Sequence, residues 1–148
     1  MANAFYPLWK QAILIGTGAS ELNTGAGASV IFVDTGTYTY STAHDFFADL
    51  TGTYGDGGTA RANSEVITSP TYNTPSAGVF DGADTVFASV NTSSTTVEGF
   101  VIFVNDSSAD ATSYLVAYFD ASITGMPFST SSGAQVTIAW NASGIFAL

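Results

Sequence analysis

The stretch Gly99-Phe-Val-Ile-Phe-Val104 carries no polar side chain on either face that a β-strand would present. Successive side chains in a strand point to opposite faces, so a half-exposed strand alternates polar with apolar. A run apolar on both sides belongs to a central strand covered above and below, or to one with a face awaiting another chain. The neighbouring runs are also β-prone: Ala28 to Asp34, Thr85 to Val90, Thr96 to Asn105, Ser113 to Asp120, Ala134 to Trp140 and the closing Gly-Ile-Phe-Ala-Leu. Gly, Asn, Asp, Ser and Pro punctuate them, which predicts an all-β fold, an antiparallel β-sandwich of which a jelly roll is one form. In the last long run, Val136, Ile138 and Trp140 share one face and Gln135, Thr137 and Ala139 the other, so one side packs while its reverse meets water or a partner.

Helix is confined to short pieces. Ser20 to Asn23 and Ser41 to Leu50 are expected to form helical turns, the second capped by Ser41 with Phe46, Phe47 and Leu50 turned inward. Residues 1–15 read as an N-terminal arm or a short helix, because Pro7 fits a first helical turn and Leu8, Trp9, Ala12 and Ile13 form a stripe. The aromatics Phe5, Tyr6 and Trp9 pack at home or reach across to a neighbouring subunit, and arm exchange is the expectation adopted. Thr53 to Ser64 is glycine-rich, carries Arg61 and reads as a mobile loop. Two prolines make Thr68 to Gly78 an edge or extended connection. No internal repeat is present.

At 148 residues the chain suits one domain, 1–148. Charged residues make up 9%, against roughly 25% in ordinary globular chains. Twelve acids face two bases, Lys10 and Arg61, giving a formal net charge of −10. Two cations cannot form a groove that displaces phosphate counterions, so nucleic acid is not an expected partner. Anionic membrane surfaces are disfavoured on the same ground, and the runs Ala-Ile-Leu-Ile and Phe-Val-Ile-Phe-Val fall far short of the roughly 20 residues that span a bilayer. The start lacks the pattern of a secretory signal, and the chain is expected to be soluble. Without cysteine, packing alone must hold the fold.

Several local patterns imitate catalytic or ligand sites. Asp34-Thr-Gly after an apolar strand is the pattern of half-sized aspartic proteases, in which two chains each lend one Asp to a shared proton. The residues after Gly36 and the missing apolar-apolar-Gly segment argue instead that Asp34 closes a strand and Thr35-Gly36 turn the chain. The run Ala12-Ile-Leu-Ile-Gly-Thr-Gly-Ala-Ser-Glu imitates a dinucleotide-binding start, but Glu21 occupies the position that needs Gly or Ala, and its carboxylate would repel phosphate. His44 is the only histidine, reads as a partly exposed surface residue, and no nucleophile elbow accompanies it. Asp81, Asp84, Asp106 and Asp110 offer oxygen ligands of the kind calcium takes, yet they lie where turn chemistry already places Asp. Tyrosines of Thr37-Tyr-Thr-Tyr40 and of Ser69-Pro-Thr-Tyr-Asn73 could stack on sugars, which keeps a surface glycan-binding module as an alternative. No catalytic, cofactor or metal residue is assigned.

The order of segments is more specific than any of these motifs. A short aromatic N-terminal segment precedes a strand ending in Asp34-Thr35, a Tyr38-x-Tyr40 element and the Ser41 to Leu50 segment. The Phe80-Asp-Gly-Ala-Asp84 turn follows, then Val101-Ile-Phe103, Leu115-Val-Ala-Tyr118, Thr124-Gly-Met-Pro127 and Trp140-Asn141. Over nearly the whole chain, except mainly Gly52 to Ser64, this resembles a group of small virion structural proteins of tailed bacteriophages. The resemblance implies a non-enzymatic structural part of the particle, a capsid decoration or cement protein on the outer capsid surface where capsomers meet. The partner it implies is the major capsid protein, and the oligomer a trimer. A head–tail junction or tail protein is the alternative within that group, and an aspartic protease using Asp34 the alternative outside it. Phe5, Tyr6, Trp9, Tyr38 and Tyr40 are the expected interface residues.

Overall fold

The computed structural model describes residues 3–16, 21–23, 27–51, 60–92, 95–105, 109–130 and 133–148. Nine strands, β1 (Ala4–Phe5), β2 (Ala28–Val33), β3 (Glu65–Val66), β4 (Val79–Phe80), β5 (Thr85–Val90), β6 (Gly99–Val104), β7 (Leu115–Phe119), β8 (Ala134–Ile138) and β9 (Phe146–Ala147), and one helix, α1 (Pro7–Leu14), are formed among them. All strand pairings are antiparallel. A five-stranded sheet has the order β1-β7-β6-β2-β3, and two ribbons pair β4 with β9 and β5 with β8. The fold is therefore all-β and sandwich-like, as the sequence predicts.

Strand β6 lies at the middle of the sheet, in register with β2 from Gly99 opposite Val33 to Val104 opposite Ala28. Every residue of β2 and β6 is buried. The alternation of side chains divides them between two cores. Val30 and Phe32 of β2, with Phe100, Ile102 and Val104 of β6, meet Phe87, Val90 and Phe80 and the partly buried Val136 and Ile138 of the ribbons. Ile31 and Val33, with Val101 and Phe103, face the other way onto Tyr6, Tyr38, Phe47 and Leu50. The continuous apolar run is thus a central strand covered on both sides. Gly99 is required at its start because a Cβ there would meet the Phe119 carbonyl oxygen at 2.5 Å.

The second cover is irregular chain instead of a sheet. In place of the expected helix from Ser41 to Leu50 there is a single 3-10 turn, Phe47–Asp49. The Ser41 hydroxyl accepts from the Ala43 N–H, closing only a local turn. The cap comes from Asp49, whose carboxylate accepts the N–H groups of Asp45 and Phe46 at 2.8 and 2.9 Å. Backbone bonds from Phe47 to Ser113 and from Leu115 to Asp45 tie this segment to the strand that it covers. With its backbone committed outward, the segment cannot continue a helical ladder. The Ser20 end of the other expected turn lies outside the described residues.

Arg61 departs from the expectation of a mobile loop. Residues 52–59 lie outside the described residues, but Ala60–Asn63 form a 3-10 turn that aims the guanidinium inward. Its nitrogens donate to Asp110, Asn105 and Ser113 at 2.7–2.8 Å. Its plane also lies over the Phe47 and Phe103 rings, 5.1 and 5.6 Å from their centroids. One planar group thereby joins the cover segment, the end of β6 and the approach to β7, a geometry that a lysine ammonium cannot reproduce. Arg61→Lys and Arg61→Ala should each lower unfolding free energy by about 1–3 kcal/mol, read from denaturant midpoints at unchanged m-value.

Candidate functional site

The expected interface aromatics divide between the two sides of the sheet edge. β1 pairs with β7, Ala4 opposite Tyr118 and Phe5 opposite Ala117, which pins the N-terminus to its own sheet. Pro7 then starts α1, with Trp9 and Ala12 buried. Phe5, Trp9 and Phe146 pack as a triad with ring centroids 5.1–5.8 Å apart. Tyr6 turns to the other core and joins Tyr38, Tyr40 and Tyr118. Tyr6, Trp9 and Tyr38 are 0% exposed, and Phe5 and Tyr40 are half-buried. In this structure the N-terminal segment packs on its own chain, with Tyr6 and Trp9 enclosed and Phe5 half-buried. The same burial removes Tyr38 as an exposed sugar-stacking ring, and Tyr40 donates to the Phe5 carbonyl at 3.0 Å.

The tyrosines are held by a polar chain as well as by packing. The Tyr6 and Tyr38 hydroxyl oxygens are 2.7 Å apart, and Tyr38 lies 3.0 Å from His44 Nδ1. With Tyr6 donating to Tyr38 and Tyr38 donating to Nδ1, each buried hydroxyl has a partner. His44 is thus half-buried in the cover segment, off any helix, with Nδ1 in hydrogen-bond contact with Tyr38. Burial pushes the Tyr38 hydroxyl up to about 12, and drives Tyr6 and Tyr118 further upward, with Tyr38 and Asp120 as their respective neighbouring contributors.

Asp34 forms a turn. Its Oδ1 accepts the Gly36 N–H at 2.7 Å, and its carbonyl accepts the N–H groups of Thr37 and Tyr38. Thr35 donates its N–H and hydroxyl to the Glu98 carboxylate. Glu98 and Asp120 line a cavity of about 320 Å³ with Thr35, Ser122 and Met126. Asp84 accepts the Trp140 N–H, Asp110 holds Arg61, and Asp106 lies outside the described residues. Among the described residues no three His, Asp or Glu side chains converge as metal ligands. Ala12 to Leu14, which imitate the strand of a dinucleotide site, are the end of α1, and 17–20 lie outside the described residues.

The surface feature that sequence reasoning missed is a ledge beside a groove. α1 ends where Gly16 adopts φ +72° and its N–H reaches the Ile13 carbonyl. Glycine tolerates that left-handed conformation. Two turns of helix have one side to bury, and Trp9 and Ala12 occupy it. Leu14 and Ile15 are consequently 86% and 71% exposed. Next to them Trp9, Ile13, Leu22, Phe80, Phe146 and Leu148 line a groove of about 340 Å³, with Glu21 at its margin. The signal was available: Ala12-Ile-Leu-Ile15 is apolar all round, so on a short helix part of it must face out. No known protein family matches the chain, and no curated protein and no solved structure matches it.

Tyr38→Phe should cost about 1–3 kcal/mol, since it removes one partner each from Tyr6 and His44 in a buried setting. For the intact chain, raised tyrosine values mean that the folded state holds protons which the unfolded state releases above about pH 10. Stability should be undiminished by these groups below that pH and fall as pH rises through the folded values. Absorbance near 295 nm should show Tyr6, Tyr38 and Tyr118 ionising together with unfolding, whereas their ionisation in a still-folded chain would contradict the burial assigned to them.

Proposed function

We propose that this chain is a virion structural protein of a tailed bacteriophage, a capsid decoration or cement protein that binds the outer capsid surface at capsomer junctions. The major capsid protein is its partner and a homo-oligomer, a trimer in the reading adopted, its working form. The observation that carries the reading is the order of segments from the aromatic N-terminus to Trp140-Asn141, which resembles that group over nearly the whole chain. The fold is compatible with the role. Among the described residues Asp34, Asp49, Arg61, Asp84 and Glu98 are engaged in turns, caps and anchors, and the large buried side chains fill two cores about one sheet. Such a subunit resists deformation and offers surface as its working part.

Charge supplies the mode of attachment. A formal charge of −10 with two bases favours a capsid surface bearing Lys and Arg and disfavours adsorption of DNA. Particles washed at rising ionic strength should release the protein as an intact oligomer, because salt screens exposed charge pairs far more than apolar burial. Imaging of particles tests the location. Copies in the hundreds over capsid junctions support the cement reading. A handful at one vertex moves the protein to the head–tail junction or tail, and absence from the particle refutes the proposal.

A further inference from the structure

We infer that the end of α1 and the adjoining groove form a contact between copies of this chain, the Leu14 ledge of one copy seating in the groove of another. Three observations place a second copy there. The first is shape. Leu14, 86% exposed, follows Ile13, which with Trp9, Phe80 and Phe146 walls a groove of about 340 Å³. The same helix end thus carries a projection and one wall of a recess, so each copy can give and receive, as a closed self-association requires.

The second is the helix itself. Lys10, Ile13 and Leu14 stand at i, i+3 and i+4 and share one side of α1, while Trp9 and Ala12 occupy the buried side. A helix apolar on more than one side is one covered on more than one side, and the described residues cover only the side of Trp9 and Ala12.

The third is charge. Copies with a formal charge of −10 repel each other over most of their surface. α1 has no acid and carries Lys10, the only lysine of the chain and an exposed one. Glu21 is exposed at the groove margin. Seating the ledge of one copy in the groove of the next brings Lys10 toward an acidic neighbour, so copies meet at this apolar face with less repulsion than where acids face acids. A capsid patch rich in Lys and Arg would instead be repelled by Lys10 here and attracted elsewhere. The contact stands whether or not the assembly is part of a viral shell.

Sedimentation equilibrium of the purified chain, from low micromolar to its highest soluble concentration, tests this. The mass should rise with concentration. Leu14→Gln, which keeps helix propensity and alters a side chain outside the core, should weaken association about tenfold or more while leaving circular dichroism and Tm unchanged. Lys10→Glu should weaken it as well, and the wild-type association should lose less to salt than the attachment to particles does. A wild-type chain that stays monomeric at every concentration overturns the inference, and so does self-association that Leu14→Gln leaves unaltered. An apolar ligand or a different protein as the true occupant would give the first of these results.

Discussion

The rest of the molecule depends on the double burial of β6. Its backbone is saturated by β2 on one side and β7 on the other, and its side chains fill both cores. That single constraint dictates a cover for each face of the sheet. The ribbons supply one cover and the segment from Tyr38 to Leu50 supplies the other. In a chain with few ions and no disulfide, burying apolar surface on both faces of one strand extracts the largest hydrophobic term from the fewest residues.

The two covers are built differently, and their chemistry follows. The ribbon side is almost wholly apolar and closes by interdigitation of rings, as with Phe32 against Phe87 at 4.3 Å. The irregular side cannot satisfy its backbone by a ladder, so polar groups take over: Asp49 caps, Arg61 bridges, and the Tyr6–Tyr38–His44 chain crosses the layer. Polar atoms enclosed in this way are costly unless paired, so the arrangement selects one conformation. At the periphery lie a formal charge of −10 and a helix end whose Leu14 and Ile15 are exposed.

Strands were legible wherever the side-chain pattern had a period of two or none, because burial on one or both faces writes itself directly into such a pattern. The runs expected at Thr85 to Val90 and Ala134 to Trp140 form β5 and β8, the latter ending at Ile138, with Gln135 and Thr137 outward. Strands β1, β3 and β4 span two residues each, too few for any period, and are set by partners distant in sequence, whereas β9 falls in the closing Gly-Ile-Phe-Ala-Leu run expected as a strand. Ser41 to Leu50 has the spacing of a helix, but bonds to Ser113, Asp110 and Leu115 overrode that local preference. For the site, Asp34 behaves as its turn residues suggest. Sequence singles out the aromatics Phe5, Tyr6, Trp9, Tyr38 and Tyr40 but not which of them the chain itself encloses, since a cluster of rings looks the same in sequence whether it meets its own chain or another; Tyr6, Trp9 and Tyr38 are buried and Phe5 and Tyr40 half-buried. The all-apolar run Ala12 to Ile15 shows that part of a short helix there must face out, but not that Leu14 and Ile15 are the part, because that depends on what covers the helix.

Native-state hydrogen exchange resolved by residue measures the central constraint most directly. Amides of Gly99–Val104 and the β2 amides that face them should be the slowest in the chain, exchanging only through global unfolding, while β8, a strand of one ribbon, opens at lower free energy. Exchange of the Gly99–Val104 amides through local openings, as fast as those of β8, would show that the sheet is not organised around this strand and would contradict the account.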